Sequence, residues 1–147
     1  MFLPPAGSMS ASFQPPASTS MPAPAEQEGA VLLIEDEPSI ARMLLQVFAQ
    51  AGLTVILARD VAEGLGLFEK HHQRIGLAFV DCRQPGVAGA EFCRRLRSVV
   101  PGFPVLFAGT RDPAVPANGD PTVFVPRPYL PTELAWQMRS LLRRTRA

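Results

Sequence analysis

Three acidic side chains in this sequence directly follow short apolar runs. Glu35 and Asp36 come after the run 30–34, and Asp81 comes after the run 77–80. If these runs are neighbouring strands of a parallel sheet, their carboxylates repel one another at one edge, and a divalent ion such as Mg²⁺ would neutralise them. A neutralised aspartate can attack a phosphoryl group and hold it as an acyl phosphate. The pattern therefore predicts phosphoryl chemistry at a magnesium site.

The same acidic residues also have a simpler interpretation, as solvated charges where strands end and helices begin. We prefer that interpretation for Glu37, because it directly precedes the helix that Pro38 would open. For Glu35 and Asp36, the joint placement with Asp81 at two strand ends favours a common site.

The elements that would position these residues alternate along the chain. Apolar runs that predict strands occur at 30–34, 54–58, 77–80, 105–108 and 123–125, and segments with helical spacing follow most of them. Parallel strands need crossover connections, so this alternation predicts an α/β fold with helices on both faces of a sheet. We expect a flavodoxin-like, doubly wound, five-stranded parallel sheet of order 2-1-3-4-5, with its active crevice at the carboxyl ends of the strands.

Two helical segments look abnormal. Gly64 and Gly66 interrupt the second helix, which we expect to be weak. Between Thr110 and Thr122 lie three prolines and one glycine, so the fourth helix should be shortened or missing.

The arginines of the third helix and of the C-terminus are interpreted as solvated faces; they are Arg94, Arg95, Arg97, Arg139, Arg143, Arg144 and Arg146.

Composition separates the chain into two parts. Residues 1–29 are rich in Pro, Ala and Ser with no Lys or Arg, which predicts a disordered tail, and residues 30–147 form one folded domain. The net charge of +1 gives no argument for nucleic acid or membrane partners. No signal peptide, membrane span, disulfide framework or metal knuckle is visible, so we expect a cytoplasmic protein.

Three segments resemble the receiver domains of bacterial two-component response regulators, such as chemotaxis regulators. They are 31–38 (VLLIEDEP), 77–86 (LAFVDCRQPG) and 125–129 (VPRPY), and the resemblance covers roughly residues 30–145. It implies a phosphorelay protein that takes a phosphoryl group from a histidine kinase or phosphotransfer protein and signals by protein–protein interaction. At most, such a protein catalyses its own phosphorylation and dephosphorylation. The downstream partner is not identified by the sequence, and a homodimer is left open.

The resemblance also implies a role for each matching residue. Asp81 would be the phosphoacceptor, and Asp36 and Asp81 would bind Mg²⁺ through their side chains. Glu35 would act on the ion through water, and Arg83 would supply a backbone carbonyl. Phe124 falls on the position of the switch aromatic, although an ordinary core residue of an edge strand is an equal alternative.

Two positions depart from the family pattern. Gly109 stands where the family has a Thr or Ser hydroxyl, with Thr110 next to it as a substitute if the loop shifts. Arg127 stands where the family has a lysine, and this exchange is not conservative because the guanidinium is planar and forked. It can still neutralise a phosphate bidentately. Lys70, on the second helix, is too far from the crevice to replace it.

These departures, with the abnormal fourth helix, keep a second function open. The chain could be a degenerate receiver that works as an interaction module independent of phosphorylation. A different enzyme on the same fold is a third alternative, and the absence of a G-x-G-x-x-G or Walker loop argues against it.

Overall fold

The computed structural model describes residues 29–81, 89–110 and 119–146, with side chains up to Arg143. Residues 1–28 of the predicted tail, and Arg83, lie outside the described residues. Strands and helices alternate until the fourth strand, as the sequence predicted. The strands are β1 (Ala30–Ile34), β2 (Val55–Ala58), β3 (Ile75–Asp81), β4 (Val105–Gly109) and β5 (Thr122–Pro126). The helices are α1 (Pro38–Gln50), α2 (Val61–His71), α3 (Gly89–Val99) and α4 (Pro131–Arg146).

The five strands form one parallel sheet in the order β2-β1-β3-β4-β5. The predicted α/β fold class and strand order are therefore confirmed. β1 and β3 are neighbours, so the residues that follow them emerge at the same edge of the sheet. In the next pairs of strands Asp81 lies opposite Ala108, and Gly109 lies opposite Pro126.

Apolar side chains cover both faces of the sheet. On one face Phe48 of α1 and Met138 of α4 pack in a cluster with Leu33 and Phe79. On the other face Phe68 of α2 and Leu96 of α3 belong to a second cluster. Because β1, β3 and β4 supply residues to both clusters, the central strands are buried on both sides, which explains their continuous apolar sequences.

Helix α2 is unbroken, so the expectation that its glycines would interrupt it is wrong. Asp60 accepts a hydrogen bond from the Glu63 backbone N–H at 2.8 Å and starts the helix. Gly64 is buried, and a Cβ atom placed on it would lie 2.7 Å from Ile34 Cδ1. The glycine lets α2 approach β1 closely, whereas nothing lies within 4 Å of a Cβ atom built at Gly66.

Arg97 of α3 is mostly buried, and its interpretation as part of a solvated face is wrong. Its side chain is 11% exposed and donates hydrogen bonds of 2.9 Å to the carbonyl oxygens of Phe103 and Pro121. It also donates at 2.9 Å to the Thr122 hydroxyl, and lies 3.8 Å from the Asp120 carboxylate. Arg97 therefore joins α3 to the segments that enter β4 and β5.

The segment between β4 and β5 is described in part. Thr110 and residues 119–121 are not helical, and the rest of the predicted short fourth helix or loop lies outside the described residues. Every helix that the structure describes is too short or too polar to cross a lipid bilayer.

Candidate functional site

Three carboxylates converge where β1 and β3 end. Glu35, Asp36 and Asp81 each place an oxygen within 4.8 Å of the others. Glu35 and Asp81 are buried, whereas Asp36 is exposed, so the cluster meets solvent through Asp36. The convergence follows from the strand order, because β1 and β3 are hydrogen-bonded neighbours.

The backbone after β1 fixes the direction of the Glu35 side chain. Glu35 Oε2 accepts a hydrogen bond of 3.1 Å from the Glu37 backbone N–H. Glu37 itself precedes α1, and its carboxylate accepts a hydrogen bond of 2.8 Å from the Ser39 hydroxyl. Glu37 is therefore engaged at the start of the helix, in keeping with its interpretation as a charge that belongs to α1.

Arg127 provides the positive charge of this cluster. Its Nη2 donates to Asp81 Oδ2 at 2.5 Å, and its side chain is 19% exposed. The Arg127 backbone N–H donates to the Gly109 carbonyl oxygen at 2.8 Å, which holds the residue beside β4. The guanidinium carbon lies 5.9 Å from the centre of the Tyr129 ring, within the range of a cation–π contact.

The donor set is suitable for a hard divalent cation. Carboxylate oxygens are the ligands that Mg²⁺ prefers, and the three carboxylates approach one another as closely as a shared ion requires. Arg127 offsets one of the three negative charges. The remaining excess of negative charge would favour a bound cation.

The other predicted site residues are less closely associated with the cluster. Gly109 is buried at the end of β4 and offers no hydroxyl. Thr110 is exposed and lines a groove of about 490 Å³ beside Arg127. Phe124 is partly buried and packs against the cluster of Phe68 and Leu96, a position that leaves both of its interpretations open.

Cys93 is the free cysteine among the described residues. Cys93 is buried in the core, and this burial raises the pKa of its thiol. A raised pKa keeps the thiol protonated at neutral pH, so Cys93 is a poor nucleophile and metal ligand.

Sequence reasoning missed the partner that Arg127 has in Tyr129. No local pattern predicts this contact, because residues 127 and 128 form a bend after β5 and neither strand nor helix periodicity applies there.

Comparisons with known proteins agree with this fold. Residues 31–117 match the family model described as the response regulator receiver domain. The chain is 31% identical over 121 residues to response regulator MprA of Mycobacterium sp. (strain KMS), covering 78% of this chain and 51% of that protein. It is 32% identical over 126 residues to transcriptional regulatory protein CreB of Escherichia coli (strain K12), covering 82% and 53%. The chain thus spans about half the length of these curated relatives.

A solved structure shares the fold. The crystal structure of a response regulator receiver domain protein from Clostridium thermocellum superposes with a TM-score of 0.72 at 21% identity, covering 80% of this chain and 97% of that one. At this identity the likeness concerns the fold alone, whereas the family model and the curated relatives carry the assignment. On these findings the chain belongs to the response regulator receiver domain family of two-component signal transduction.

Proposed function

We propose that this chain is a phosphorelay receiver that accepts a phosphoryl group on the Asp81 carboxylate and signals by protein–protein interaction. The observation that carries the proposal is the cluster of Glu35, Asp36 and Asp81 within 4.8 Å, with Arg127 hydrogen-bonded to Asp81. A carboxylate next to a cation site and a guanidinium can act as nucleophile toward phosphorus, because the positive charges offset the charge that develops on the phosphoryl oxygens.

Magnesium is the cofactor that this donor set fits. Asp36 and Asp81 would hold the ion through their carboxylates, Glu35 through a water molecule, and Arg83 through its backbone carbonyl. When bound, the ion neutralises the carboxylates and the incoming phosphate. Receiver domains in general bind Mg²⁺ at an acidic pocket of this kind, which supports the assignment.

The covering of Asp81 sets a condition on the transfer. The Asp81 side chain has no exposed surface, and Arg127 lies directly on its Oδ2. A phosphodonor therefore reaches Asp81 only after the covering side chains move. The Arg127 side chain is partly exposed and continuous with the groove that Thr110 lines, so we expect the movement to occur there.

The proposed donor is a histidine kinase or a histidine phosphotransfer protein. Response regulators in general receive phosphoryl groups from such proteins, and the curated relatives of this chain are response regulators. Because these donors are charged from ATP, the proposal places the chain in the cytoplasm. Its catalysis would be confined to its own phosphorylation and dephosphorylation at Asp81. Phe124 is the proposed switch aromatic, and Thr110 the proposed substitute for the family hydroxyl.

Intact-protein mass spectrometry tests the proposal. The chain is incubated with acetyl phosphate and MgCl₂, and the expected product carries one added phosphoryl group that hydroxylamine removes, as for an acyl phosphate. Asp81→Asn should abolish the adduct, whereas the matched surface variant Glu69→Gln should keep it. No adduct on the wild type, with acetyl phosphate and with a cognate kinase, would rule out the proposed function.

One observation favours a second candidate function. Arg127 already neutralises Asp81, which is fully buried, and such a pair would suit a degenerate receiver that binds its partner without phosphorylation. The same experiment separates the two functions when a Mg²⁺ titration by calorimetry is added. If the wild type forms no phosphoryl adduct and binds no Mg²⁺ near neutral pH, these results support the interaction module.

A further inference from the structure

The guanidinium of Arg127 turns one edge toward Asp81. Only one of the two N–H donors on that edge is hydrogen-bonded to Asp81. Its Nη2 donates to Asp81 Oδ2. Its Nε is buried and has no hydrogen-bond partner among the residues that the structure describes. In the planar guanidinium, the Nε–H and one Nη2–H project side by side in a fixed fork. The edge that faces Asp81 therefore carries a second donor, which no described residue engages.

Position 109 explains why a second donor is useful here. Gly109 ends β4 directly after Ala108, the residue opposite Asp81 in the register, and its carbonyl accepts from the Arg127 backbone N–H. Position 109 thus ends β4, the strand between β3, which ends in Asp81, and β5, which Arg127 follows. It has no side chain that could donate a hydrogen bond. The described part of the site contains one charged donor at this place, and that donor is Arg127.

We propose that Arg127 binds the phosphoryl group on Asp81 through Nε and Nη2 together, so that one side chain supplies both the positive charge and the hydrogen bond that Gly109 cannot donate. The inference rests on the proposed function and names how its phosphoryl group is held. A phosphoryl group offers several oxygens, and the guanidinium fork matches two of them with parallel hydrogen bonds. A lysine at this position is a point charge and cannot make this paired contact.

Two substitutions separate the charge from the second donor. Arg127→Lys keeps the charge and removes the fork, and Gly109→Ser supplies a hydroxyl at the neighbouring strand end. The probe is fluoroberyllate with Mg²⁺, a mimic of the aspartyl phosphate, and its affinity for the full chain is measured by ¹⁹F NMR. We expect Arg127→Lys to bind the probe about tenfold more weakly or worse, as for loss of a charge-assisted hydrogen bond.

The double variant then tests whether the two positions share one function. Gly109→Ser should recover most of the lost affinity in the Arg127→Lys background and change little in the wild type, which is the non-additivity expected of coupled groups. Arg95→Lys on the surface of α3 is the matched control. Equal affinity of Arg127→Lys and the wild type would overturn the inference, as would a Gly109→Ser effect that is absent or the same in both backgrounds.

A direct measurement keeps the inference testable if Gly109→Ser does not fold. The ¹H–¹⁵N signal of Arg127 Nε in the wild type should shift and become protected from exchange when fluoroberyllate binds. Binding without change in that signal overturns the inference while the proposed function stands. A wild type that fails to bind the probe, as Asp81→Asn fails, removes the proposed function and the inference together.

Discussion

Arg97 and Arg127 are two arginines whose side chains the fold largely shields from solvent, and the sequence predicts this for one of them better than for the other. Arg127 lies in a recognisable motif that follows a strand, so its place near the acidic cluster could be predicted. Arg97 is one of three arginines within residues 94–97, although its position four residues after Cys93 puts it near the buried face of α3. Its partners come from the entries of β4 and β5, which no local pattern reveals.

At the residue scale the first prediction concerns Arg97. Replacing it by Met removes hydrogen bonds to two carbonyl oxygens and one hydroxyl and leaves these groups partly buried. We expect Arg97→Met to lower the free energy of unfolding by about 2–4 kcal/mol, since a hydrogen bond from a charged group contributes about 1.5–3 kcal/mol. The Pro121 carbonyl keeps its hydrogen bond from the Val105 backbone N–H, which limits the loss. Urea unfolding measures the change, with Arg95→Met as the exposed control. A loss no larger than in the control would contradict the anchoring function of Arg97.

The acidic cluster leads to a second prediction at this scale. A ligand that binds the folded chain alone stabilises it by RT ln(1 + [L]/Kd), about 2.7 kcal/mol at a hundredfold excess over Kd. Millimolar MgCl₂ should therefore raise the melting temperature. Asp36→Asn should remove most of this rise, because Asp36 is the exposed carboxylate of the cluster.

The control for this experiment is Glu69→Gln, an exposed position on α2 outside the cluster. Each melting temperature in MgCl₂ is compared with the value in NaCl at equal ionic strength, so that the effect of general charge screening is subtracted. A Mg²⁺ effect that is the same in Asp36→Asn and in the wild type would show that the ion binds elsewhere.

At the scale of elements, the apolar runs predicted every strand but not every boundary. β1 has the bounds that its run predicts, because the acidic residues follow it directly. β3 starts two residues before its predicted run, at Ile75, since pairing with Ala30 of β1 extends it. Such pairing is a property of the assembled sheet and cannot be derived from the residues of one strand alone.

Helix α2 illustrates the same limitation and leads to a third prediction. Its two glycines look alike in the sequence, and alanine would favour the helix by about 1 kcal/mol at either position. At Gly66 the new methyl group meets nothing, so Gly66→Ala should raise the free energy of unfolding by about 0.5–1 kcal/mol. At Gly64 the methyl group must displace buried Ile34, which costs about 1–3 kcal/mol.

Gly64→Ala should therefore be less stable than Gly66→Ala by roughly 1–3 kcal/mol. Chemical denaturation of both variants beside the wild type measures the difference, and each variant serves as the control for the other. Equal stabilisation by both substitutions would mean that Ile34 of β1 shifts without loss of stability. Close packing would then not explain the glycine at position 64.

At the scale of the whole molecule, the site is a consequence of strand order. The alternation of strands and helices predicted a parallel sheet, and the order 2-1-3-4-5 then brought residues 35, 36 and 81 together across 45 positions of sequence. What could not be predicted was the full burial of Asp81. It depends on how side chains pack above the strand ends, which the order of the strands does not determine.

The last prediction concerns how much of the chain the fold needs. Both apolar clusters and all five strands lie within residues 30–146, so we expect deletion of residues 1–28 to leave the unfolding transition and Mg²⁺ binding unchanged. Deletion of residues 131–147 should instead abolish cooperative unfolding, because it removes Leu134, Met138 and Leu141 from the core. Each such side chain contributes about 1.5–3 kcal/mol by burial. Their combined loss is comparable with the whole stability of about 5–15 kcal/mol that a domain has. Circular dichroism during heating measures both variants, and a marked loss of stability on deletion of residues 1–28 would show that the folded unit extends into that segment.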